Sequence, residues 1–186
     1  MQYPSWDQTI TENLRRSFSQ GVVLRIAKVL AHSGDSWLWC GGLFFLWVFS
    51  EGETERTLVF WAGAIGFTAL FVFFLKKLIA RKRPDGDWGE VYRKGDPYSF
   101  PSGHAVRAGL ITVLAFGTFG FSFVSFLFTL WAIFMSLSRV VTGLHYVFDI
   151  SFGFLLGIVL GAAWLNFQPW IYESFSIFFD RSLWFS

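Results

Sequence analysis

The stretch from Thr57 to Ile79, TLVFWAGAIGFTALFVFFLKKLI, decides the fold of this chain of 186 residues. It contains no charged residue before Lys76. A helix needs about 20 apolar residues to cross the hydrocarbon core of a bilayer, and this segment supplies them. The stretch is therefore interpreted as a membrane-spanning helix.

Further apolar segments extend the same pattern on both sides of this span. They lie at about 35–50, which is short for a span, and at about 102–119, 121–138 and 144–166. Residues 8–31 instead alternate apolar and basic positions at helical spacing, with Gly21 as a candidate break, which favours an amphipathic helix in the membrane interface. The predicted fold class is all-α: one polytopic membrane bundle over 1–186, with an interfacial helix in 1–34, about five spans in 35–166 and an interfacial tail at 168–186.

The composition agrees with a membrane protein. Hydrophobic residues make up 54% of the chain and charged residues 15%, whereas soluble domains carry about 25% charged residues. The 25 Phe and 10 Trp suit lipid contact and the headgroup level. The single cysteine, Cys40, excludes an internal disulfide, and the polar segment Met1–Arg16 lacks the apolar core of a cleavable signal peptide.

The predicted topology brings the polar connections to two faces. With five spans, the N-terminal helix, the loop 81–100 and the turn 139–143 share one face, while the loop 51–56 and the tail share the other. The three strings of polar residues described next all fall on the first face, which favours a single site there.

The first string is Lys76 with Arg83-Pro84. The two cations are seven residues apart, close to two helical turns. If the second span extends to Arg83, both project from one face, and Pro84 then stops the helix. An ordinary basic membrane flank is the alternative.

The second string, Pro101-Ser102-Gly103-His104, opens the third span. Ser102 suits a helix start, Gly103 lets a ligand approach the backbone, and free amides at a helix N-terminus favour an anion. His104 would face that anion as a proton donor or acceptor. A simple helix cap with a flanking histidine is the alternative.

The third string is Ser138-Arg139 with His145 and Asp149. His145 and Asp149 are four residues apart, so a helix would place them on one face, where the carboxylate can fix the histidine tautomer. Arg139 offers a fork of donors that matches phosphate oxygens. A structural histidine–aspartate bond between helices is the alternative.

In this order and spacing, the strings KKLIARKRP, PSGH and SRVVTGLHYVFD resemble the type 2 phosphatidic acid phosphatase (PAP2) superfamily, with no departure at any defined position. The resemblance covers roughly residues 35–166. It implies a metal-independent lipid phosphatase without a cofactor. His145 would attack phosphorus, oriented by Asp149, and His104 would protonate the leaving oxygen. The implied phosphate ligands are Lys76, Arg83, Ser102, Gly103 and Arg139.

The resemblance also implies the partners. These are the bilayer and a phosphorylated lipid such as phosphatidic acid, phosphatidylglycerophosphate, undecaprenyl diphosphate or lipid A 1-phosphate, and no nucleic acid. A non-catalytic phospholipid-binding protein and a vanadate-dependent haloperoxidase are the alternatives. Oligomeric state, the lipid and the role of the loop 81–100 stay open.

Two residues outside the motifs have competing interpretations. Arg107 would either face the site, where it could reach a second phosphate or headgroup, or extend its side chain to the interface. His32 is expected to make a local hydrogen bond in its loop.

The side of the membrane is ambiguous. The predicted location is the inner membrane of a bacterium, where relatives commonly work on the periplasmic face. Outside the motifs and Arg107, however, nine Lys and Arg residues fall on the motif side against two on the other, Arg56 and Arg181. This asymmetry favours a cytoplasmic site.

Overall fold

The computed structural model describes residues 5–85 and 88–179, and this part of the chain is helical without a named strand. In chain order the helices are α1 (Ser5–Phe18), α2 (Gly21–Ser33), α3 (Ser36–Val48), α4 (Gly52–Ile79), α5 (Glu90–Gly95), α6 (Gly103–Phe119), α7 (Phe123–Val141), α8 (Val147–Ser174) and α9 (Ser176–Phe179).

Three of these helices, α4, α7 and α8, are long and apolar enough to cross a membrane, and α3 and α6 are shorter apolar helices. Together they are the five apolar segments that the sequence predicts. The all-α membrane bundle is therefore confirmed.

The N-terminal segment forms two helices, because the helix is interrupted just before Gly21, whose φ is +57°. The small residues Ala27 and Ala31 are buried where α2 packs on α7, whereas Val22 and Ile26 are exposed. The apolar stripe of α2 therefore points away from the protein, which is the orientation that lipid contact requires, whereas Leu14 of α1 packs against the bundle.

The C-terminal end of α4 matches the predicted span, whereas the bounds of α8 differ from the prediction. Helix α4 ends at Ile79, because Ala80 adopts a left-handed conformation with φ of +50°, so the condition that the helix extends to Arg83 is not met. Helix α8 runs from Val147 to Ser174 with Pro169 inside it, rather than over 144–166. The interfacial tail stays a prediction, and Asp180 and Arg181 lie outside the described residues.

The most extensive helix contact joins α6 to α8, and glycines make it possible. A Cβ atom on Gly157 would lie 2.0 Å from the Val106 carbonyl oxygen, and one on Gly109 would lie 2.2 Å from that of Phe154. Small residues let two membrane helices bring their backbones together, as here. The second motif, at the start of α6, and Asp149 of the third motif, in the first turn of α8, are therefore carried by two helices in direct backbone contact.

Below these motifs lies an apolar layer that closes the centre of the bundle. It joins α4 to α6 through Phe60, Ile65, Leu110 and Leu114, all of which are buried. This layer forms the floor under the polar end of the bundle.

Candidate active site

The polar end of the bundle contains a cavity of about 700 Å³. The α2–α3 junction, α4, α5 and its following loop, α6, the end of α7 and the α7–α8 turn all contribute to its walls. Six of the eight predicted site residues line it: Lys76, Arg83, Gly103, His104, Arg139 and His145. Ser102 and Asp149 lie behind the wall, fully buried.

Lys76 and Arg83 meet at one carboxylate, although Arg83 lies beyond the end of α4. The Lys76 ammonium donates to Asp96 Oδ2, and Arg83 Nη2 donates to the same oxygen at 3.1 Å. Arg83 Nε also donates to the Asp96 carbonyl at 2.8 Å. The loop, not helical spacing, therefore brings the two cations together, with Asp96 between them as an internal anion.

Ser102 caps α6 as predicted. Its hydroxyl accepts from the amide of Ala105, and its own amide donates to the Asp149 carbonyl at 3.1 Å. A Cβ atom on Gly103 would make an ordinary 3.6 Å contact with Val72. The packing of the fold therefore does not require glycine at 103, and the space that it leaves faces the cavity.

His145 lies in the turn before α8, not on the helix. Gly143 makes this turn with φ of +73°. Arg83 Nη1 lies 3.1 Å from His145 Nε2, and because a guanidinium only donates, Nε2 must be the unprotonated nitrogen. The proton is then on Nδ1, which lies 3.6 Å from Asp149 Oδ2, just beyond hydrogen-bond distance, and has no other partner among the described residues. The expectation of a shared helical face is wrong, but the chain still brings this pair together.

The electrostatic environment keeps the His145 imidazole neutral. Its side chain is almost completely buried, and Arg83, Lys76 and Arg139 surround it. Burial first, and then these cations, hold the pKa of His145 well below its usual value of 6.5. Nε2 is therefore unprotonated at neutral pH, as a nucleophile requires, and in this state it accepts the bond from Arg83.

Asp149 is held by groups that the sequence analysis did not connect to it. Arg81 Nη1 donates to Oδ1 at 2.6 Å, and the Tyr146 amide donates to Oδ2 at 2.9 Å. The other fork of Arg81 binds Asp7 of α1 at 2.7 Å. This buried carboxylate–guanidinium–carboxylate bridge connects α1 to Asp149, the carboxylate next to His145.

His104 also has a carboxylate partner, Asp35 at the start of α3. His104 Nε2 and Asp35 Oδ1 are 2.8 Å apart. The Tyr92 hydroxyl donates to the same carboxylate at 2.8 Å, and His32 Nδ1 lies 3.1 Å from Oδ2, which is the local bond expected for His32. Burial alone would raise the pKa of Asp35, but the bonds from His104, His32 and Tyr92 hold it well below its usual range.

Arg139 sits at the centre of the cavity wall. It is buried, its guanidinium lies 4.6 Å from the centre of the Tyr92 ring, and Nη1 reaches the Ala31 carbonyl at 3.4 Å. Its Nε has no hydrogen-bond partner among the described residues. A buried cation with an unused donor suits an anionic ligand in the cavity.

Sequence reasoning missed Asp35, Arg81, Tyr92 and Asp96 as parts of this site. Asp35 and Arg81 flank apolar segments, where a charge is usually a solvated flank. The one available signal was position, since all four belong to the face that carries the motifs. Arg107 faces the cavity, and the second phosphate or headgroup that it could reach there stays a prediction.

Comparisons with known proteins agree with the fold and with the resemblance that the motifs indicate. The chain is 30% identical to the Lipid A 1-phosphatase of Rhizobium etli over 161 residues, which cover 73% of this chain and 67% of that protein. The fold is similar to the crystal structure of a transmembrane PAP2-type phosphatidylglycerolphosphate phosphatase from Bacillus subtilis, with a TM-score of 0.74 and 23% identity over 91% of this chain and 89% of that one. LpxE of Aquifex aeolicus also has this fold, with a TM-score of 0.67 and 18% identity over 88% and 96% of the two chains.

The family model of the PAP2 superfamily matches residues 57–173, which contain all three motifs. That match spans more than half of the chain, and it confirms the resemblance that the motifs indicate. The chain belongs to the PAP2 superfamily.

Proposed function

We propose that this protein is a membrane lipid phosphatase that works through a phosphohistidine on His145. The observation that carries the proposal is the His145 ring, whose Nε2 is unprotonated at the wall of a cavity rich in cations. Membership of the PAP2 superfamily and the similarity to a Lipid A 1-phosphatase support phosphate ester hydrolysis as the reaction.

The proposed phosphate ligands are Lys76, Arg83 and Arg139, together with the backbone at Ser102 and Gly103. Phosphoryl transfer depends on positioning and on neutralising the charge of the equatorial oxygens, which three cations can provide. Asp96 would release Lys76 and Arg83 when a phosphate arrives, because the dianion offers both cations more oxygen acceptors than one carboxylate does.

The proposed reaction has two steps, formation of the phosphohistidine and its hydrolysis. In the first, Nε2 of His145 forms a bond to phosphorus while the bond to the lipid oxygen breaks, and His104 gives that oxygen a proton. In the second, His104 takes a proton from water, the water oxygen attacks phosphorus, and the bond to Nε2 breaks. Asp149 stabilises the charge that develops on His145, and Asp35 holds His104 in place.

The proposed substrate is a phosphorylated lipid of the phosphatidylglycerophosphate, phosphatidic acid, undecaprenyl diphosphate or lipid A 1-phosphate class. The cavity supports a lipid because its polar end is followed by apolar lining from α4, including Ile65, Val72 and Phe73. A headgroup can therefore reach the cations while its chain stays among apolar side chains.

Phosphate release from a panel of these lipids in detergent with EDTA tests the proposal. Wild-type protein should hydrolyse at least one lipid without added metal, and His145→Ala should lose this activity while keeping its melting temperature. Acid-labile labelling of the wild type by a phosphate-labelled lipid should disappear in the same variant. Full activity in His145→Ala would refute the mechanism, and inactivity of the wild type towards every lipid would favour a non-catalytic lipid-binding protein.

We also propose the inner membrane of a bacterium as the location, and the side can be measured. In a Cys40→Ser background, Glu51→Cys probes one face and Lys94→Cys the other, because both positions are exposed at opposite ends of the bundle. An impermeant thiol reagent applied to intact spheroplasts should label only one of them. Labelling of Lys94→Cys indicates a periplasmic site, and labelling of Glu51→Cys a cytoplasmic one.

A further inference from the structure

The cavity has a second polar level below the phosphate site, formed by Thr68 of α4 and Arg107 of α6. Both residues line the cavity and both are buried. The Thr68 hydroxyl and Arg107 Nε have no hydrogen-bond partner among the described residues. Buried donors without partners are rare in folded proteins and mark places where a ligand or an ion can bind.

The helix register places the two residues at the same depth. A Cβ atom on Gly103 would contact Val72, and α4 and α6 run in opposite directions through this contact. Thr68 is four residues before Val72, and Arg107 is four residues after Gly103. Each therefore lies about 6 Å deeper than this pair. The apolar layer with Ile65 and Leu110 begins below them.

The Thr68 hydroxyl differs from the hydroxyls of Thr112 in α6 and Thr129 in α7. The hydroxyls of Thr112 and Thr129 donate to the carbonyl oxygens four residues earlier, at 2.9 and 2.8 Å. This local bond is the usual way for a buried helical threonine to satisfy its hydroxyl. Thr68 leaves the bond unmade and lines the cavity.

Arg107 is held in a fixed position that leaves one donor unused. Nη1 donates to the Gly34 carbonyl, and Nη2 donates to the Ser36 hydroxyl at 2.5 Å. Both contacts fasten the guanidinium to the α2–α3 junction, beside the segment that carries Asp35. Its Nε–H keeps a donor at the level of Thr68.

We infer that Thr68 and Arg107 form a subsite for an acceptor oxygen in the part of the lipid that bears the scissile phosphate. The inference rests on the proposed function and deepens it. A glycerol ester or a hydroxyl would supply that oxygen in one class of lipid, and a second phosphate would supply it in a diphosphate. A lipid phosphate with a plain hydrocarbon next to the ester bond would leave both donors unsatisfied and should be a poorer substrate.

Three lipids with the same oleyl-length chain separate these sources: 1-oleoyl-lysophosphatidic acid, oleyl monophosphate and oleyl diphosphate. The measurement is kcat/KM for each in mixed micelles at a fixed surface fraction. The kcat/KM values for 1-oleoyl-lysophosphatidic acid and for oleyl diphosphate are each divided by the value for oleyl monophosphate, and these two ratios are compared between variants. Each ratio comes from one preparation, so it does not depend on the fraction of folded enzyme.

Thr68→Val removes the hydroxyl with little change in shape, and Thr112→Val is the matched control at a buried helical position outside the cavity. Thr68→Val should lower one of the two ratios about five-fold, the effect expected for one lost hydrogen bond. Arg107→Lys removes Nε–H and should lower the same ratio, whereas Thr112→Val should leave both unchanged. A fall in the lysophosphatidic acid ratio assigns the subsite to a linker oxygen, and a fall in the diphosphate ratio assigns it to a second phosphate.

Unchanged ratios in both Thr68→Val and Arg107→Lys, with the wild type active, would overturn this inference and leave the proposed function intact. A wild type that hydrolyses none of the three lipids, nor any lipid of the broader panel, would overturn both.

Discussion

Replacing Asp35 by Asn tests whether His104 acts as the proton donor. The change keeps the shape of the side chain but replaces the carboxylate, which lies 2.8 Å from His104 Nε2, with a neutral amide. A hydrogen bond to a charged partner contributes about 1.5–3 kcal/mol and a neutral one about 1 kcal/mol. Because Asp35 is shielded from solvent, we expect a loss of about 1–2 kcal/mol, or roughly 5- to 30-fold in rate.

The assay compares two leaving groups. An alkyl lipid oxygen needs a proton as it leaves, whereas the phenolate of p-nitrophenyl phosphate leaves without one. Asp35→Asn should therefore lower kcat/KM for the lipid by roughly 5- to 30-fold and change kcat/KM for p-nitrophenyl phosphate by less than about 2-fold. Under the proposed mechanism, kcat/KM relative to the wild type reports the steps up to formation of the phosphohistidine, which include the proton transfer from His104.

Glu90→Gln is the matched control, because it also neutralises a carboxylate, in an exposed pair with Lys94 on α5. It should change neither rate. Equal losses for both substrates in Asp35→Asn would refute a role in proton donation and indicate a general disturbance of the site. An unchanged lipid rate would show that the Asp35–His104 bond does not contribute to catalysis.

Three further predictions concern the charges around the cavity. Asp96→Asn removes the half-exposed carboxylate that holds Lys76 and Arg83, the two cations proposed to bind phosphate, so the inhibition constant of inorganic phosphate or vanadate should fall about two- to five-fold, and a rise would contradict this role. Arg81→Met leaves two buried carboxylates without their shared cation and should reduce the free energy of unfolding by about 3–5 kcal/mol, seen as a lower melting temperature in detergent, whereas Arg56→Met at an exposed pair should not. Because the pKa of His145 lies well below 6.5, its imidazole stays neutral as the pH falls through 6.5; kcat/KM corrected for substrate ionisation should show no acid-side loss centred there, and a fall in kcat/KM as the pH is lowered through 6.5 would contradict the assignment.

The sequence predicted the bundle well because lipid restricts the options. Backbone groups in a bilayer must bond within their own segment, so a long apolar run such as Thr57–Ile79 becomes a helix. The motif residues then converge because they stand at the ends of these runs, on one face of the membrane.

The sequence could not predict contacts that depend on the chain returning from a distance. Asp35 bonds to His104 and Asp7 bonds to Arg81, and neither pairing leaves a periodic pattern. Local spacing also misled for Arg83, since Ala80 ends α4 in a left-handed conformation without the glycine that usually signals such an end.

The apolar stripe of the N-terminal helices shows a further limit. Val22 and Ile26 are exposed, while Ala27 is buried against the bundle. In a soluble protein, an apolar stripe marks the inner face of a helix, but in a membrane protein the stripe can face lipid. The spacing of the apolar residues predicts the helix, but whether the apolar face packs on the protein or contacts the surroundings depends on whether those surroundings are water or lipid.

The backbone contact between α6 and α8 separates the motif residues from the part of the bundle that lines the cavity with apolar side chains. Ser102 and His104 open α6, which this glycine-mediated contact holds against α8 and Asp149, whereas the apolar wall of the cavity comes mainly from α4. Substitutions along that wall can therefore alter which lipid fits while the reacting groups keep their spacing. A fold arranged in this way can acquire a new substrate without rebuilding its chemistry, and the wall of α4 is where an effort to redirect this protein should begin.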